Sequence, residues 1–229
     1  MLTPGEWQAL GLSLRVSLWA TAASLPVGIL VALALARGVF WGKSLLNGLV
    51  HLPLILPPVV TGYLLLLTFG RRGPAGAFLE ANFGIVFSFR WTGAALAAAV
   101  MAFPLMVRAI RLSIEAVDGR LEEAAGTLGA SRVWTFLVVT LPLILPGIIA
   151  GAILGFAKAM GEFGATITFV SNIPGETRTL PSAIYSFTQV PGGQPEAMRL
   201  TLIAIAVAMT ALIASEFVAL RVARRIRDG

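Results

Sequence analysis

The sequence predicts an all-α, polytopic integral membrane protein with five transmembrane helices, and three observations carry that reading. Hydrophobic residues make up 57% of the 229 and charged residues only 12%, whereas soluble domains carry about a quarter charged residues. The apolar residues gather into five stretches, 12–36, 45–69, 92–112, 135–158 and 199–221. Each supplies the roughly 20 residues that a helix needs to cross about 30 Å of hydrocarbon. Basic residues collect at or near the ends of those stretches, as orientation signals in a bilayer do.

Helices are the form these stretches must take, because backbone groups in lipid have to be hydrogen-bonded within the segment. Barrel strands would be about ten residues long with alternating polarity, and nothing here alternates that way. The chain has no cysteine, which excludes disulfides, thiolate chemistry and Cys-based metal sites. A net charge of +6 would suit nucleic acid, but the placement of the basic residues points to membrane lipid as the partner and to no nucleic acid.

The first stretch, Leu12 to Ala36, is longer than the apolar part of a cleaved signal peptide and has no Lys or Arg before Arg15, so it reads as a retained span. With the N-terminus outside, ten basic residues fall inside: Arg37, Lys43, Arg108, Arg111, Arg120, Arg132, Arg221, Arg224, Arg225 and Arg227. Five fall outside, namely Arg71, Arg72, Arg90, Arg178 and Arg199. The expected topology is therefore N-terminus out and C-terminus in, with the Arg71–Arg72 pair on the wrong side. Prolines stand within or beside the spans at Pro26, Pro53, Pro57, Pro58, Pro104, Pro142 and Pro146, where each removes an intrahelical bond.

The loop 113–134 is then cytoplasmic. Asp118 suits a helix N-cap, Leu121 to Leu128 contains strong helix formers, Gly129 suits the helix end and Ser131 the cap of the next helix. Residues 121, 124, 125 and 128 share a face, so Ala124 and Ala125 leave a shallow strip beside two leucines. So short a helix is marginal alone and needs a partner, either lipid headgroups or a protein. Anionic headgroups would repel Glu122 and Glu123.

Residues 161–171, GEFGATITFVS, are too short for a sixth span, which would also place the arginine-rich tail outside. They read as the end of the fourth helix or a partly inserted segment. Lys158 and Glu162, four apart, are expected to pair on that helix, either as a structural pair or lining a path through the membrane. His51 is the sole histidine and forms no metal site. RGVFWGKS at 37–44 misses the phosphate-loop spacing by one residue. An intramembrane enzyme would need clustered nucleophiles, metal ligands or paired carboxylates, which the spans lack. A secondary transporter would show repeats and coupling carboxylates, for which only Glu162 is a candidate.

The stretch EAAGTLGASRVWTFLVVTLP, residues 123–142, resembles the EAA signature of ABC-importer permeases. Glu123-Ala124-Ala125 is followed after three residues by Gly129, and after nine more by Val139-Thr140-Leu141-Pro142, with valine where isoleucine is usual. GEFGATITFVSNIPGETRTLPSAIY, residues 161–185, resembles the corresponding region of molybdate permeases, while sulfate and thiosulfate permeases share its Gly-Glu-Phe-Gly.

The resemblance implies a type I ABC-importer permease fold, one transmembrane domain over 1–229 with no further domain after the fifth span. It implies a cytoplasmic coupling helix, with Glu123, Ala124, Ala125, Leu128, Gly129, Leu141 and Pro142 engaging the ATPase. Lys158, Glu162, Phe163, Gly164 and Thr166 are candidate pathway residues. The expected cargo is molybdate, with tungstate as co-substrate, and sulfate or thiosulfate as the alternative. The implied partners are a second copy in a homodimer, cytoplasmic ATPase subunits and an extracytoplasmic binding protein. ATP and Mg would be bound by the ATPase, leaving this chain with no cofactor, metal or catalytic residue, in a bacterial inner membrane.

Overall fold

The computed structural model describes residues 2–227, and all its regular structure is helical. The side chains of Arg224, Arg225 and Arg227, counted above as orientation signals, lie outside the described residues, as does Gly229. Helix α1 (Pro4–Arg37) begins well before its apolar stretch. Thr3 and Glu6 cap it reciprocally, the Glu6 carboxylate accepting from the Thr3 amide at 2.6 Å, and Pro4 suits the first turn.

The second span is corrected. It is two helices, α2 (Lys43–Ile55) and α3 (Pro58–Phe69), whose axes differ by 115°. Two successive prolines explain the break: each ring forces the residue before it out of the α region. Leu56 accordingly sits at ψ 143° and Pro57 at ψ 134°. The pair still climbs the length of the bundle. Leu46 and Val50 pack with Ile110 and Ile114 at one end, and Leu65 and Phe69 with Ala94 and Ala98 at the other.

Helix α4 (Pro74–Phe83) follows, an element the sequence reading lacked. Helix α5 (Trp91–Glu115) is the axis of the bundle: 61% of its most apolar window is buried, against 28% for α1. Its buried Ala94, Ala95, Ala97, Ala98 and Ala102 let neighbouring backbones come close, as small residues do where lipid supplies no hydrophobic drive between helices.

After α6 (Gly119–Thr127) the fourth span runs through α7 (Arg132–Thr135), a π-helical turn (Phe136–Thr140) and α8 (Leu141–Met160). In the wide turn the Leu141 amide bonds to the Phe136 carbonyl. Pro142, just beyond it, has no amide for the carbonyl four residues back, and its ring crowds that carbonyl in a regular α-helix. Higher up, Gly147, Gly151 and Gly155 line the face of α8 against α5. A Cβ on Gly151 would stand 2.9 Å from Ile110 Cγ1 and 3.0 Å from the Met106 carbonyl oxygen.

Residues 161–171 do not continue the fourth helix. The chain turns at Gly161 and starts α9 (Gly164–Val170), which packs on α3. There Gly62 meets Ala165, a Cβ at Gly62 standing 2.9 Å from its Cα. Helix α10 (Leu180–Thr188) and α11 (Gln194–Arg227) complete the chain. At this end Arg199 donates to Glu6 at 2.7 Å, and the Leu180 amide donates to Ser13 Oγ at 2.6 Å, joining α1 to α10 and α11. Four long helices and the bent α2–α3 pair thus make five apolar crossings by length and composition.

Candidate functional site

Helix α6 projects from the end of the bundle that holds the last turn of α1 and the last turn of α5. Asp118 Oδ1 accepts the Arg120 amide at 3.0 Å, capping it. Its exit is a left-handed turn: Gly129 has φ +86°, and its amide reaches the Gly126 carbonyl at 3.0 Å while Ala130 reaches Ala125 at 3.1 Å. Glycine is the residue that takes this conformation without a Cβ clash. Ser131 Oγ then accepts the Trp134 amide at 3.3 Å. No α6 side chain is buried.

The docking residues read from the sequence divide on this surface. Leu121, Glu123, Ala124 and Gly129 are exposed, and Leu128 is 90% exposed. Ala125 departs from the expected outward strip. It turns half-buried toward a groove of about 380 Å³ that Leu128, Trp134, Thr135 and Val138 help to line. Leu141 and Pro142 are not part of the α6 surface: Leu141 packs against the core and Pro142 follows the π-turn.

One neighbour was missed. Glu122 faces the bundle, where its Oε1 accepts Thr140 Oγ1 at 2.7 Å and lies 3.5 Å from Arg37 Nη2. The signal was present, since 118, 122 and 125 share one helical face, but the adjacent Glu123 drew the attention.

The second candidate group gathers at the opposite end, where α8 turns into α9. Lys158 and Glu162 do pair, at 2.9 Å, but across the corner rather than along one helix. Glu162 is 3% exposed, and its Oε1 accepts the Ala165 amide at 3.0 Å, so the carboxylate caps α9 while holding the ammonium. Thr166 is buried too, donating to the Phe163 carbonyl at 2.8 Å. A Cβ on Gly164 would meet Pro58 Cβ at 2.7 Å, and the Phe163 ring stacks 5.1 Å from Tyr185. The five residues are therefore neighbours. Glu162 and Thr166 hold the corner by hydrogen bonds within it and Gly164 seats it against α3, while Lys158 and Phe163 keep part of their surface open.

Replacing Glu162 by Ala strips α9 of its cap and leaves Lys158 without its acid. A loss of about 2–3 kcal/mol is expected, the scale for hydrogen bonds to a charged group. Thermal denaturation of the purified chain in detergent reads it, and an unchanged midpoint would contradict the capping role. His51 bonds through Nδ1 to the Asn47 carbonyl at 2.8 Å within α2. No group of three His, Asp or Glu side chains converges among the described residues.

The chain is similar to known proteins along nearly its whole length. The family model for the "Binding-protein-dependent transport system inner membrane component" matches residues 24–228. The molybdenum transport system permease protein ModB of Escherichia coli (strain K12) is 61% identical over 219 residues, 96% of each chain. The sulfate transport system permease protein CysW of Synechococcus elongatus is 40% identical over 173 residues, 74% of this chain and 60% of its own. Among solved structures, a bacterial ABC transporter involved in the import of the acidic polysaccharide alginate has a TM-score of 0.71, covering 98% of this chain and 81% of that one at 18% identity, a likeness of fold.

Proposed function

The chain belongs to the family of binding-protein-dependent transport system inner membrane components, and from that premise we propose that it is the membrane subunit of an importer for molybdate, with tungstate as co-substrate. The observation that carries the substrate is the 61% identity with a molybdenum permease along nearly the whole chain, against 40% over a shorter part with a sulfate permease.

A tetrahedral dianion cannot enter hydrocarbon bare, because an unpaired charge there is prohibitively costly. The protein must therefore offer a path that opens to one side at a time. Two copies enclose that path, five crossings being few for one chain to do so alone. Helix α11 is consistent with this: only 11% of its most apolar window is buried within the chain, leaving an apolar face for the second copy or for lipid. The N-terminus lies outside and α6 inside, where the basic residues Arg37, Lys43, Arg111, Arg120 and Arg132 are concentrated.

Helix α6 is the surface for a cytoplasmic ATPase, its exposed Leu128, Ala124 and Glu123 meeting that subunit. ATP binding and hydrolysis belong to the partner, and closure of its dimer biases the two states of the path through α6, a coupling between distant sites. An extracytoplasmic binding protein delivers the anion at the other end.

Uptake into proteoliposomes holding this chain, the ATPase and the binding protein tests the reading. ATP-dependent uptake is expected, with molybdate and tungstate competing better than sulfate by at least about tenfold, or roughly 1.4 kcal/mol. Preference for sulfate would overturn the substrate. Uptake driven by a proton or sodium gradient without ATP would overturn the importer.

A further inference from the structure

We propose that Glu122 is the joint that fastens helix α6 to the membrane body, so that a push on α6 moves α1 and the fourth span together. The inference rests on α6 being the surface that an ATPase engages. Helix α6 has no core of its own, since none of its nine residues is buried. Besides the loops at its two ends and half-buried Ala125 against the start of the fourth span, what anchors it is one carboxylate with two partners. Glu122 Oε1 accepts Thr140 Oγ1 at 2.7 Å and lies 3.5 Å from Arg37 Nη2. The same Arg37 nitrogen donates to the Val117 carbonyl at 3.2 Å, just before α6 begins. One acid therefore touches the last residue of α1 and the π-turn of the fourth span.

Thr140 makes this bond from the last position of the π-turn. A helical threonine ordinarily returns its hydroxyl to a carbonyl three or four residues back. Here the buried Thr140 hydroxyl, at the end of the π-turn, donates outward to α6 instead. Glu123, next along the helix, is exposed and free to face a partner. Adjacent acids thus divide the work, one turned inward to hold and the other outward to dock.

The test uses the full complex in proteoliposomes and reads three quantities: co-purification of the ATPase, ATP hydrolysis stimulated by the loaded binding protein, and molybdate uptake. Two variants are compared with the unaltered chain, Glu122→Ala and the near-isosteric Thr140→Val, which removes only the donor. Both should retain the ATPase and still hydrolyse ATP, while uptake per ATP falls by roughly tenfold or more, the order expected for a lost hydrogen bond to a charged group. The double variant should fall no further than Glu122→Ala, because the two residues share one contact.

An unchanged uptake-to-hydrolysis ratio in Thr140→Val and Glu122→Ala would overturn the joint alone. Loss of ATPase binding in Glu122→Ala would also overturn it, making Glu122 a docking residue. Absence of ATP-dependent uptake by the unaltered chain would bring down the importer reading, and the joint with it.

Discussion

Gly151→Leu should lower the thermal midpoint of the detergent-purified chain by about 10 °C or more. The reason is how closely α8 approaches α5. Even the first carbon of a side chain at 151 would stand 2.9 Å from Ile110 Cγ1 and 3.0 Å from the Met106 carbonyl oxygen. Ile110 can turn, but the backbone oxygen moves only if the helix does. Overpacking of this kind costs about 1–3 kcal/mol and more where backbone blocks relief. For a chain of this size each kcal/mol is worth roughly 2–4 °C. Gly151→Ala should show about half the effect by the same reckoning. Gly126→Ala is the control: beyond its chain neighbours and its own helix backbone, nothing among the described residues lies within 4 Å of its Cβ position, so the midpoint should hold or rise slightly. A Gly151→Leu variant that melts with the parent would mean that the two helices stand further apart than described.

Gly129→Val should cut uptake to below about a tenth while the chain still reaches the membrane in normal amount. The turn at φ +86° is one that a β-branched residue adopts only with strain, on the order of 1–3 kcal/mol. At 1.4 kcal/mol for each factor of ten, about 2 kcal/mol leaves the docking geometry populated some thirtyfold less. The strain falls on the exit of α6, where Leu128 stands fully outward, and reaches no buried core. Uptake and membrane content are measured on the same vesicles. Full uptake by the Gly129→Val variant would remove the turn from the mechanism, and loss of the chain from the membrane would make it a folding element.

The five crossings were legible because length and hydropathy report burial in lipid, and the caps at Asp118, Gly129 and Ser131 because each depends on a neighbour a few residues away. The break at Leu56 was harder to see. Hydropathy carries no direction, so 25 apolar residues looked like one rod although Pro57 and Pro58 forbid it. The end of α8 misled for a related reason: the spacing of Lys158 and Glu162 fits a helix, and the pair forms, yet the carboxylate is spent on capping a second helix. Gly147, Gly151 and Gly155 were visible as small residues four apart and were passed over. The partner of Glu122 could not be found from local pattern, because Arg37 and Thr140 lie 85 and 18 positions away along the chain. Which of two adjacent acids turns inward is settled by that tertiary contact.

The wide turn at Phe136–Thr140 has one more consequence. An extra residue in a helix shifts the angular phase of everything on one side of it by about 100°, the step of a 3.6-residue winding. A helical wheel drawn straight through the fourth span therefore assigns the wrong compass bearing to Arg132, Val133 and Trp134 relative to the glycine seam above. Straightening that turn into regular winding, without moving a single residue out of the membrane, would swing Arg132–Thr135, the segment that leads from α6, by more than a quarter of a circle.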